Sequence, residues 1–147
     1  RRPAGHLDHG EPVISARWTD ADGEGLEHLT LLDTGAGHVA DGVIIQPSRP
    51  WRALRYRIEI DAGWRVRAAS VERIGGGELL LTRGEDGAWT RDGGERLSFL
   101  DGASDIDLTA SPFTNTLPIR RLDPPVGGGA DIRVVYIDCD DFGVTSK

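Results

Sequence analysis

One cysteine, Cys139, is all the chain has. No internal disulfide can therefore form, and a reducing, cytoplasmic compartment is the expectation. Asp138, Asp140 and Asp141 flank that cysteine and oppose formation of a reactive thiolate. Long apolar runs are missing too: none approaches the roughly 20 residues that span a bilayer as a helix. The opening "RRPAGHLDHG" has arginines with no apolar stretch behind them, the wrong pattern for a secretory signal. Basic charge is in deficit, with a net charge of −7, which disfavours nucleic acid and anionic membrane surfaces as partners. No G-x-S-x-G, phosphate-binding loop or dinucleotide fingerprint is present. His6, Asp8 and His9 could hold a metal only adventitiously, since no further ligands accompany them. No cofactor is implied.

What is present is a chain of 147 residues, 38% hydrophobic and 28% charged, enough for one domain with its own core. Short alternating runs separated by Gly, Asp and Pro predict an antiparallel β protein. The candidate strands cover 13–19, 26–32, 38–45, 53–60, 64–74, 78–83, 88–91, 95–100, 105–109 and 131–138. In "YRIEIDAGWRVRA" the alternation puts Tyr56, Ile58, Ile60, Trp64 and Val66 on one face. A three-residue loop Asp61-Ala62-Gly63, with Gly63 left-handed, would pair Ile60 with Trp64, Ile58 with Val66 and Glu59 with Arg65.

One helix is expected, inside "DIDLTASPFTNTLPIRRL". Pro118 forbids a helix starting at Pro112 but is harmless in a first turn. The spacing predicts a helix beginning at or after Asn115, capped by Asn115 or Thr114, and ending by Asp123. Arg120 and Arg121 then occupy its last turn, where the helix dipole favours positive charge.

Three acids carry the functional question. Asp105 and Asp107 share one face of their strand, with Ile106 and Leu108 on the other. They form either a solvated outer face or a carboxylate pair lining a concavity, suited to sugar hydroxyls or a cation. A calcium loop is disfavoured, because the spacing runs on into hydrophobics without a later glutamate. Glu27 shares strand parity with Leu29 and Leu31, and an acid on an apolar face needs a partner or a purpose. A bulge or an outward leucine face would remove the anomaly. His28 has the opposite parity and reads as a surface or packing residue.

The segments "GLEHLTLL", "YRIEIDAGWRVRAASVER", "DIDLTASPFTNTLPIRRL" and "IRVVYID", in this order from about Trp18 to Tyr136, resemble the putative glycolipid-binding family, formerly a domain of unknown function. The resemblance implies a mainly β fold: a large, curled, half-barrel-like antiparallel sheet wrapped around a single short α-helix, remotely like lipoprotein-localisation carriers. It also implies a homodimer and an acidic pocket for a glycolipid or other sugar-bearing amphiphile, with a role in glycolipid metabolism or a cell-envelope response. By motif position, pocket roles fall on Glu27, Arg57, Arg65, Asp105, Asp107 and Asn115. Tyr56 and Trp64 would offer aromatic faces to sugar C–H groups or lipid chains. Arg120 or Arg121 would balance the acids or hold an anionic head group.

The chain departs from the family pattern in two places. Ala103 stands where many members have cysteine, and the expected single domain, 1–147, lacks the further C-terminal strands with which family members usually continue. Two other readings stay open. One is a hydrolase using paired carboxylates as acid and base. The other is a structural dimerisation module whose acids form a salt-bridge network with Arg57, Arg65 and Arg120.

Overall fold

The computed structural model describes residues 13–147. The histidine pair at His6 and His9 lies outside the described residues. Eight strands form one antiparallel sheet in chain order: β1 (Val13–Thr19), β2 (Leu26–Asp33), β3 (Gly37–Ile45), β4 (Ala53–Asp61), β5 (Val66–Arg73), β6 (Glu78–Arg83), β7 (Trp89–Arg91) and β8 (Glu95–Arg96). The sheet is open, with β1 and β8 at its edges. Period-two alternation built it: Leu54, Tyr56, Ile58 and Ile60 of β4 are buried while Arg55, Arg57 and Glu59 face solvent.

Register lines the inner face up in rows. Ala16, Leu29, Gly42, Tyr56, Val71 and Leu79 form one row across six strands. Trp18, Glu27, Ile44 and Leu54 form the next. Glu27 thus takes a place in an otherwise apolar row. A bulge, one of the two alternatives that would have turned it outward, is absent from β2, whose pairing with both neighbours is unbroken.

The core closes over this face with a second sheet. β9 (Asp105–Leu108) pairs in parallel with β10 (Val134–Ile137), which pairs antiparallel with β11 (Val144–Ser146). Parallel neighbours need a crossover. It contains a 3₁₀ turn, Pro112–Asn115, running directly into α1 (Thr116–Leu122), the only α-helix among the described residues. Ile106, Leu108, Val135 and Ile137 join Phe113 and Leu117 in one core with the large sheet. Each fully buried side chain of this size stabilises the fold by about 1.5–3 kcal/mol. The link between the sheets is pinned by the Ala103 carbonyl, which accepts from the buried Trp89 indole at 3.0 Å.

Several local expectations need correction. The β4–β5 loop has four residues, Ala62-Gly63-Trp64-Arg65, rather than the expected three. Trp64 is the left-handed residue (φ 61°), not Gly63. The Asp61 carboxylate explains the slide: its Oδ1 accepts from the amides of Gly63 and Arg65 at 2.8 and 2.9 Å, making Asp61 the first turn residue. Ile60 therefore pairs with Val66, Ile58 with Ala69 and Glu59 with Ala68, across a bulge that restores parity. Trp64 is only partly buried against the core. The 95–100 run is a strand only at Glu95–Arg96 and then a 3₁₀ turn at Ser98–Leu100. α1 has the expected span, yet neither Asn115 nor Thr114 caps it with a side chain. The capping is displaced to Ser111, whose Oγ accepts from Phe113 N at the start of the 3₁₀ turn.

Candidate functional site

Glu27 is 4% exposed and sits among apolar neighbours on the inner face. Its Oε1 accepts from the Tyr56 hydroxyl at 2.5 Å and from the Ser111 hydroxyl at 2.6 Å. Its Oε2 is buried and has no protein partner. Burial raises the Glu27 pKa above the ordinary carboxyl value, and the two hydroxyls only partly offset that rise. Both donors occupy Oε1, so a proton taken up would sit on Oε2.

Each member of this trio is placed by local backbone chemistry. Glu27 points inward by strand parity. Tyr56, opposite Gly42 on β4, lays its ring over that glycine; a Cβ at Gly42 would fall 2.2 Å from Tyr56 Cζ. The missing side chain is what lets the phenol reach past β3 to Glu27. Ser111 is fixed by capping the turn that Pro112 opens. Burial and the Glu27 hydrogen bond both raise the Tyr56 pKa, so the phenol remains a donor.

Glu27 lines a cleft between the β1–β2 loop, the β3–β4 loop and the segment after β9. One lobe, about 190 Å³, has Trp18, Asp20, Gly25 and Pro112 around Glu27. A second, about 200 Å³, is walled by Arg49, Trp51, Thr109 and Asp140. The two share Asp20, Ile44, Gln46 and Ala110 and so adjoin. Each alone is smaller than the ~300 Å³ at which small-molecule pockets begin. Gln46 Nε2 donates to Asp20 at 2.7 Å, and this bond, ahead of several backbone amides, holds the Asp20 carboxyl below its usual range. Asp140 accepts from Arg49 at 3.0 Å and from the Trp51 indole at 2.8 Å.

The other expected site residues are scattered. Asp105 is fully buried and engaged by Arg121 through two bonds, 3.1 Å from Nε and 2.5 Å from Nη2. It lies outside the cleft. Asp107 shares its face but is half-buried. It lines a groove with Asn115 and Tyr136 and lies 3.5 Å from the Thr114 hydroxyl. Glu27, Asp105 and Asp107 therefore do not converge on one concavity.

Arg57 faces outward, 3.7 Å from Asp41 and 3.6 Å from Glu59. Arg65 is exposed in the β4–β5 hairpin. Trp64 stacks against His38 at 4.3 Å, with the Arg120 guanidinium 5.0 Å from its ring. Tyr56 is 1% exposed, so it offers its hydroxyl rather than an aromatic face. Cys139 is buried, and burial, with a smaller push from Asp138 and Asp140, raises its thiol pKa.

Sequence reasoning missed Ser111, Asp20, Gln46 and the Asp140 cluster. Only Ser111 left a signal, as a serine before proline at the head of a turn. Gln46 and Asp140 are 94 residues apart in sequence by their numbering and meet only in the fold.

A family model described as "Putative glycolipid-binding" matches residues 15–147. The fold is also similar to a crystal structure at 1.80 Å resolution of a DUF1089 family protein from Pseudomonas aeruginosa, at 30% sequence identity and a TM-score of 0.59. That match covers 99% of this chain and 74% of the other. No curated protein matches. The match over nearly the whole chain places it in the "Putative glycolipid-binding" family, to which it belongs.

Proposed function

We propose that this member of the family binds the sugar head group of a glycolipid, without chemical conversion, in the cleft at Glu27. The observation that carries the reading is the free Oε2 of a buried carboxylate lining an accessible concavity. A buried polar atom without a partner is destabilising by about 1–3 kcal/mol, more when charged. A sugar hydroxyl delivered there supplies the missing hydrogen bond. Trp18 lines the same lobe and offers apolar surface beside the polar groups. Asp107 and Asn115, in their separate groove, are not needed for this contact, and Asp105 is already paired.

Such a site suits a carrier or sensor in glycolipid metabolism or envelope response. Native mass spectrometry of the purified protein with a total lipid extract tests the reading. Sugar-bearing lipid adducts are expected with the wild type and not with Glu27→Gln, which keeps the shape and turns the free acceptor into a donor. Adducts lacking sugar, or equal binding by the variant, would refute it. The same spectra weigh the complex and so test the homodimer that the resemblance implies.

A further inference from the structure

The polar groups of the Glu27 cleft are not a balanced set. Glu27 Oε2 is a free acceptor. The amide nitrogen of Gln46 is taken up by Asp20 and Ser48, at 2.7 and 3.3 Å. Its oxygen is left as the group that can meet a ligand. Asp20 adds a second carboxylate beside it, held in the ionised form by that same amide. The strong donors that line the cleft, Arg49 and the Trp51 indole, both point at Asp140. Charged groups in the two lobes are thus three carboxylates and one guanidinium, and that guanidinium is paired with one of the three.

The wall is built, not incidental. A Cβ on the buried Gly25 would lie 1.8 Å from Gln46 Oε1 and 2.8 Å from Asp20 Oδ2. Glycine at this position is what lets the Asp20–Gln46 pair fold across the cleft beside Glu27. Neither of the arginines expected to meet an anion stands here: Arg121 is occupied by Asp105 and Arg120 lies over Trp64.

We propose that the cleft selects head groups that donate hydrogen bonds and carry no negative charge. Neutral or amino-bearing sugars fit, whereas sulfated, phosphorylated or uronic-acid head groups are rejected. The inference rests on the head-group reading above and adds the chemical class. Hydroxyl and ammonium donors complement Oε2, the Gln46 oxygen and Asp20. An anionic substituent would meet carboxylates with no free cation to offset them, and like charges brought together at a contact are strongly disfavoured.

Matched lipid pairs isolate this effect. Phosphatidylcholine vesicles are doped with glucosyl diacylglycerol or glucuronosyl diacylglycerol, which differ only in a CH2OH against a carboxylate. A second pair is galactosyl ceramide and its sulfate ester. Flotation at neutral pH and physiological salt, where the Debye length is about 8 Å, reads the bound fraction. The neutral member of each pair should bind at least about tenfold tighter, a difference of about 1.4 kcal/mol.

Because the whole chain is acidic, a second measurement separates local from global charge. Asp20→Asn should narrow the ratio between pair members, while Glu85→Gln, an equal charge change on the exposed β6–β7 turn, should leave it unchanged. Equal or tighter binding of the anionic members overturns the charge selectivity and leaves the head-group reading standing. Equal narrowing by Glu85→Gln also overturns it. Binding no better than to undoped vesicles, for all four lipids, overturns both.

Discussion

Two carboxylates are buried among the described residues, and they are treated in opposite ways. Asp105 has a full partner: Arg121 reaches it from α1 with two bonds, and that contact raises the arginine's pKa. Glu27 has two hydroxyls on one oxygen and nothing on the other. Asp105 fastens the helix to the strand before it, a connection internal to the protein. Glu27 holds a hydrogen-bonding capacity that the protein does not use. Burial alone would have grouped the two acids; their partners separate a scaffold residue from a site residue.

The sharpest way to break this comparison is to remove the arginine's partner. Asp105→Asn leaves a guanidinium, 17% exposed, without its counter-charge. Stability should fall by about 3–5 kcal/mol, the range for one half of a buried ion pair. Urea denaturation measures it. A loss below about 1 kcal/mol would show the pair to be dispensable and Asp105 to be no scaffold. The same variant should still bind glycolipid vesicles wherever it remains folded.

The contrast was half legible in the sequence. Alternation disclosed the strands and showed Glu27 sharing parity with Leu29, because a period of two needs no knowledge of neighbours. Parity also put Asp105 and Asp107 on one face. It could not show that Arg121, rather than Arg120, turns back onto Asp105, since that depends on where α1 lies over the second sheet. The second sheet itself was hidden. A four-residue β9 and β10 carry no mark of parallel pairing, and β11 has only three residues. The hairpin slid by one residue because a side chain, Asp61, outbid the glycine for control of the turn. The cleft's other walls come from segments far apart in sequence and leave no local pattern.

A smaller perturbation sharpens the Glu27 side. Gly42→Ala places a methyl where the Tyr56 ring lies, within 2.5 Å of its hydroxyl oxygen. The ring must move, and with it the hydroxyl that Glu27 accepts from. Overpacking of this kind is destabilising by about 1–3 kcal/mol. Weaker glycolipid binding should accompany it, because Glu27 loses one of the groups that orient it. Thermal denaturation alongside vesicle flotation checks both. Loss of stability with binding intact would mean that Tyr56 does not position Glu27.

The smallest effect, and the most diagnostic, is expected from Glu27→Gln. The amide oxygen can accept from Tyr56 and Ser111 as the carboxylate does, so the change in stability should be roughly 1 kcal/mol or less. Its dependence on pH identifies the cause. Burial raises the folded-state pKa of Glu27 above the ordinary 4.5, so between that value and the raised one the folded protein binds more protons than the unfolded chain. Stability then declines as pH rises through this window, the reverse of a salt-bridged acid. Glutamine does not titrate, so the variant should be close to wild type at and below about pH 4.5 and gain on it as pH rises. Urea midpoints of both proteins across a pH series give the comparison directly. A variant that loses ground with rising pH would mean that the ionised carboxylate is stabilised in the fold, and Glu27 would then belong with Asp105 as scaffold.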